Sequence, residues 1–197
     1  MSSIAEDLVW LLLDDNSGEF LVDRGHVAFA VEVAALLDMA ADLTEVTVGE
    51  MLADGRFGFT ALRRNHLEDV LFRAAERGRT CAMPARRFGI FRMWSWPTLD
   101  FSGKRALRGS IRRALSDTAG TDVRTAVLIA LLTAVHGMAA QWPDRQSDEV
   151  DRLAWRVLRA HPACREILDV VRRRTQADYA ASFCGMVQPI FQRQPQW

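Results

Sequence analysis

Residues 122–142 read DVRTAVLIALLTAVHGMAAQW, and from Ala126 to Ala140 no side chain carries a formal charge. Leu, Ile, Val and Ala occupy every face of a helical repeat here, so a helix made of them must be surrounded by protein or by lipid. Crossing a bilayer takes about 20 apolar residues, whereas this run is shorter and contains Thr133, His136 and Gly137. The stretch is therefore expected to be a buried central helix with Asp122 at its N-cap, where a carboxylate satisfies free backbone N–H groups. The other helices should wrap around it.

Working outward, Leu99–Ser116 has helical period and carries Lys104, Arg105, Arg108, Arg112 and Arg113. On the other side, 148–159 and 163–174 are amphipathic and separated by His161-Pro162, and 177–191 reads as a last helix, broken by Gly185 and stopped by Pro189. At the N-terminal end, IAEDLVWLLL follows Ser2-Ser3 and has acids in its first turn, which marks a capped helix over Ile4–Leu13. The cluster DDNSG at 14–18 ends it in a turn. A second, largely buried helix is expected over His26–Ala41, a brief strand over Glu45–Met51, and a strongly amphipathic helix over Phe59–Arg77 closed by Gly78. Residues 79–97, RTCAMPARRFGIFRMWSWP, differ from the rest: two short β-favouring runs flank Arg86 and Arg87, which predicts a β-hairpin. The fold class is thus mainly α, a helical bundle with one projecting hairpin. With no repeat and no long linker, residues 1–197 are expected to form a single domain.

The 25 basic and 25 acidic residues balance overall but are unevenly placed. Residues 1–54 hold 12 acids against Arg24 alone, while 55–125 hold 15 bases against 6 acids. A basic middle segment suits an anionic partner, and equally suits pairing with the acidic segment inside the fold. Lys104 is the only lysine, an arginine bias that fits a GC-rich genome. Cys81, Cys164 and Cys184 are odd in number and widely spaced, as in a reduced cytoplasmic protein without disulfides. Glu6 and Asp7 precede the first apolar run and no basic residue does, which makes the N-terminus a poor signal peptide.

Catalytic signatures are missing. There is no phosphate-binding glycine loop, no Gly-x-Ser-x-Gly, no His-Glu-x-x-His and no clustered metal spacing, so no cofactor or metal is expected. The four histidines are scattered, and His136 reads more readily as a satisfied core residue than as a general base. Asp14 and Asp15 read as solvated turn formers rather than a working carboxylate pair. With one tyrosine and no basic–aromatic recognition module, nucleic acid is not an expected partner.

Four stretches taken together, IAEDLVWLLLDDNSGEF at 4–20, LRRNHLEDVLFRAAERG at 62–78, RRFGIFRMWSWP at 86–97 and DVRTAVLIALLTAV at 122–135, resemble the Golgi phosphoprotein 3 family in its bacterial branch. The resemblance implies a compact helical fold with a projecting hairpin. It also implies peripheral membrane binding, in which a shallow basic pocket takes a phosphatidylinositol 4-phosphate headgroup and the protein acts as an adaptor. Carried over residue by residue, the pocket's tryptophan falls near Leu21, one arginine near Ala30, and a pair of arginines on Arg64 and Leu67. Only Arg64 matches, with Arg63 and Arg24 as local substitutes, so headgroup specificity is expected to be lost.

The expected function is binding of an anionic membrane surface, on the inner face of the plasma membrane, through Arg24, Arg63 and Arg64 for the anion. The hairpin residues Arg86, Arg87, Phe91, Arg92, Trp94 and Trp96 would make membrane or partner contact, or join homo-oligomers. Two other classes stay open, a protein-interaction module and a small-molecule-binding or enzymatic bundle, although no nucleophile–base pair can be named for the latter.

Overall fold

The computed structural model describes residues 3–40, 42–54, 66–87 and 91–191, and for 86–87, 91–93 and 178–191 only the backbone course. Among these residues lie eight α-helices: α1 (Ile4–Leu12), α2 (Arg24–Leu37), α3 (Glu45–Ala53), α4 (His66–Glu76), α5 (Phe101–Ser116), α6 (Val123–Ala134), α7 (Ser147–Ala160) and α8 (Pro162–Phe191). One antiparallel hairpin, β1 (Met83–Arg87) with β2 (Phe91–Ser95), completes the set.

The apolar stretch is helix α6, buried at every position from Thr125 to Ala134. Its start is fixed by Asp122, whose carboxylate accepts from the Thr125 backbone N–H at 2.9 Å and from the Thr125 hydroxyl at 2.7 Å. Helices α1, α5, α7 and α8 pack closely around it. Helix α1 shares the centre, since all nine of its residues are buried, Glu6 and Asp7 included. Ser3 caps α1 at the Glu6 N–H, and Asp38 at the end of α2 takes the Ile4 and Ala5 N–H groups, so two helices are fastened end to end.

His136 lies outside the core. Helix α6 ends at Ala134 with Val135 as its C-cap, and His136 follows with φ 59° and an exposed side chain. Its N–H bonds the Thr133 carbonyl and the Gly137 N–H bonds the Leu132 carbonyl at 2.7 Å, the Schellman pattern that closes a helix in the left-handed region. Glycine usually takes that left-handed position, but here Gly137 comes one residue later because its α-carbon faces the Leu12 side chain with no room for a β-carbon.

Three further expectations need correction. Glu45–Met51 is part of helix α3, not a strand: Thr44 caps it through the Thr47 N–H, and Val48 and Met51 are buried one turn apart while Val46 is exposed. The two helices expected over 163–174 and 177–191 are one, α8, continuous through Gly185, which a helix interior tolerates at a cost of about 1 kcal/mol. Arg172–Arg174 therefore sit mid-helix, not at a C-terminus. Of the helix expected over Phe59–Arg77, His66–Glu76 is seen as α4, and 59–65 lie outside the described residues.

Candidate functional site

The hairpin forms as its sequence predicts, with Arg86 opposite Arg92, Arg87 opposite Phe91 and Pro84 opposite Trp94. Among the described residues, its strands pair with each other and make no comparable contact with any helix. The base of the hairpin is held by backbone bonds instead. Trp96 N–H reaches the Gly18 carbonyl, Thr98 N–H the Asp15 carbonyl, and Cys81 N–H the Pro97 carbonyl. Gly18 has φ 66° and a β-carbon there would collide with the backbone of Trp96 and Pro97, so the turn after α1 requires glycine at this position. The acidic turn therefore anchors the hairpin.

The aromatic residues divide into an anchor and a surface. Trp96 is only 3% exposed, and Phe72 of α4 meets it edge-on at 4.9 Å between ring centroids. Trp96 therefore fixes the hairpin to the body and does not sit on the contacting surface where the sequence reading placed it. Trp94 is 50% exposed, with Phe72 edge-on at 5.9 Å, and Phe72 and Met83 are themselves partly open to solvent. Apolar area is thus presented at the root of a hairpin whose strands hold Arg86, Arg87 and Arg92. The side chains of Arg86, Arg87, Phe91 and Arg92 lie outside the described residues.

Of the anion-binding candidates, Arg63 and Arg64 also lie outside the described residues. Arg24 begins α2 and donates to Glu68 of α4 at 3.1 Å, both side chains being about half exposed. The other positions carried over from the resemblance offer no donor: Ala30 and Leu67 are core residues, and Leu21 is a partly exposed leucine.

Much of the uneven charge is consumed inside the molecule. Glu6 pairs with Arg73 and Arg77, and Asp7 with Arg79 and Arg124, each acid from α1 meeting bases of the middle segment. Asp14 forms the local turn, accepting from Ser17 and Asn16, and hydrogen bonds led by the Ser17 N–H hold its carboxyl below the usual range. Asp15 meets Lys104 and Arg108 of α5. Burial pushes the Asp15 carboxyl up, but the hydrogen bonds from Lys104 and Arg108 prevail and hold it below the ordinary aspartate value. Lys104, 1% exposed, also donates to the Leu13 carbonyl at 2.7 Å and reaches the Thr98 hydroxyl at 3.4 Å, so all three of its protons find acceptors. Asp14 is the turn former that its sequence suggests, whereas Asp15 is not one alone, and the Lys104 partnership was missed because Asp15 is remote from it along the chain.

A second cluster was also invisible to spacing rules. Glu45, His161 and Cys164 bring a carboxylate, an imidazole and a thiol together, with ligand atoms all within 4.8 Å of one another. The pair His161-x-x-Cys164 was the only local signal, and Glu45 arrives from α3.

No helix among the described residues is long and apolar enough to cross a membrane. The family model for Golgi phosphoprotein 3 (GPP34) matches residues 59–173, more than half of the chain. No curated protein matches it.

Proposed function

We propose that this chain, which belongs to the Golgi phosphoprotein 3 family, is a peripheral protein that docks on anionic phospholipid surfaces by its hairpin and presents a client there as an adaptor. The observation that carries the reading is Trp94, half exposed and met edge-on by Phe72 at the root of a hairpin bearing three arginine positions. An indole at an interface inserts its ring among acyl chains while its N–H stays wet. Basic residues beside it add roughly 1 kcal/mol each near an anionic surface.

The docking reads charge rather than a particular headgroup. Selecting one phosphoinositide needs several fixed donors converging on its phosphate, with bidentate arginines the strongest. Ala30 and Leu67 are buried and donate nothing, and Arg24 is engaged by Glu68, which leaves Arg63 and Arg64 as the anion-binding candidates. Diffuse positive charge attracts phosphatidylglycerol, cardiolipin and phosphatidylinositol 4-phosphate alike.

The test is co-sedimentation with vesicles of matched charge density at two salt concentrations. Binding is expected to be nearly equal across anionic lipids, absent on neutral vesicles, and steeply reduced by salt. Reversing Arg86, Arg87 and Arg92 to Glu should weaken it while leaving the unfolding midpoint nearly unchanged. Undiminished sedimentation of the reversed protein would remove the hairpin as the docking surface. Selective, salt-resistant capture by the 4-phosphate would show instead a rebuilt headgroup pocket.

A further inference from the structure

Glu45 opens α3, His161 closes α7 and Cys164 lies in the first turn of α8. His161 Nδ1 is 2.8 Å from Glu45 Oε1, and Cys164 Sγ is 3.4 Å from the same oxygen. The other oxygen, Glu45 Oε2, accepts the Ala163 N–H at 3.0 Å. Helix capping accounts for that last bond, since the free N–H groups at the start of α8 need an acceptor. It does not account for an imidazole and a buried thiol converging on the remaining oxygen.

We propose that Glu45, His161 and Cys164 form a binding site for a divalent metal of the zinc class, with three protein ligands and an open fourth position. Zinc takes imidazole nitrogen, thiolate sulfur and carboxylate oxygen at about 2.0–2.3 Å in tetrahedral array, which puts neighbouring ligand atoms roughly 3.3–3.6 Å apart. The 3.4 Å from Cys164 Sγ to Glu45 Oε1 already has that spacing. The 2.8 Å hydrogen bond from His161 Nδ1 must open by about half an ångström to admit the ion. The three ligand atoms all lie within 4.8 Å of one another. A thiolate ligand selects against magnesium and calcium, which want hard oxygen donors. Charge favours the same ion. Cys164 gives its proton to solvent as the sulfur–metal bond forms, His161 coordinates as a neutral ring, and Glu45 stays ionised, so a 2+ ion leaves the cluster neutral. Without a cation, burial and the adjoining Glu45 push the Cys164 thiol well above its ordinary value, so the thiol keeps its proton and its sulfur is a poor ligand. The ion reaches the site past Glu45 and the ring edge of His161, because Cys164 itself is fully buried.

Bound there, the metal would tie α3 to the α7–α8 junction, with Glu45 lying 116 residues from His161 and 119 from Cys164 along the chain.

Cobalt(II) is the probe, added to the full chain carrying Cys81→Ser and Cys184→Ser after chelator treatment. The expected result is one equivalent of cobalt with a thiolate charge-transfer band in the near ultraviolet, displaced by zinc and releasing a proton on binding. Cys164→Ser should abolish the band, and His161→Asn should weaken binding by roughly tenfold or more. A missing band, or one that survives Cys164→Ser, overturns the site. Should Cys164→Ser fail to fold, His161→Asn decides: unchanged cobalt affinity in that folded variant also overturns it.

Discussion

His136 holds a left-handed backbone with a full side chain, at a cost of roughly 1 kcal/mol that glycine would avoid. Its side chain is exposed and the helix-closing bonds at this point are made by the backbone, so nothing else should change when it is replaced. His136→Gly is expected to raise stability by about 0.5–1 kcal/mol, read as a higher urea midpoint at unchanged slope. A fall would mean that the imidazole contributes to closure. Residue identity gave little warning of this. The sequence HGM after an apolar run fits a core histidine as readily as a cap, and the decision rests on Leu12, which denies Gly137 a side chain and belongs to a distant helix. Trp94 and Trp96 pose the same difficulty. Both stand in one aromatic run, and only Phe72, contributed by α4, buries the second and leaves the first accessible.

Among the elements, α6 and α1 were legible because capping and an all-round apolar pattern leave one solution. Leu131 is fully buried on α6, and Leu131→Ala should cost about 2–5 kcal/mol in denaturant unfolding; a loss below about 1 kcal/mol would make α6 peripheral. Helix α3 was misread for an instructive reason. Val46 and Val48 suggest a strand, in which they would share a face, yet Val46 is exposed and Val48 buried. The signal outweighing β-propensity was the Thr44 cap followed by Val48 and Met51 at helical spacing. In α8, Gly185 was taken for a break, but the helix is supported elsewhere by its packing on α6 and α3. The hairpin was legible as a hairpin; which of its side chains serve the surface was not.

At the scale of the molecule, the acidic first quarter and the basic middle meet across the core, and this governs behaviour in acid. Asp15 has a lowered carboxyl in the folded chain, so the stability it contributes is present above the ordinary aspartate value and is lost as pH falls through the folded value. Asp15→Asn should therefore lower the urea midpoint at about pH 7 and lose most of that deficit once the pH is well below about 4. A constant deficit across that range would mean that packing, not charge, supplies the effect. The same internal pairing explains why net charge by segment overstated the surface available to an anionic partner. Arg73, Arg77, Arg79 and Arg124 all meet acids of α1. Lys104 adds a consequence of a different kind. It is the chain's one side-chain amine, and the folded molecule encloses it. Amine-directed acylating reagents, and enzymes that tag lysines, therefore find no side-chain amine on the native surface. Modification of Lys104 then becomes a clock for opening, recording how often the turn after α1 lifts away from α5.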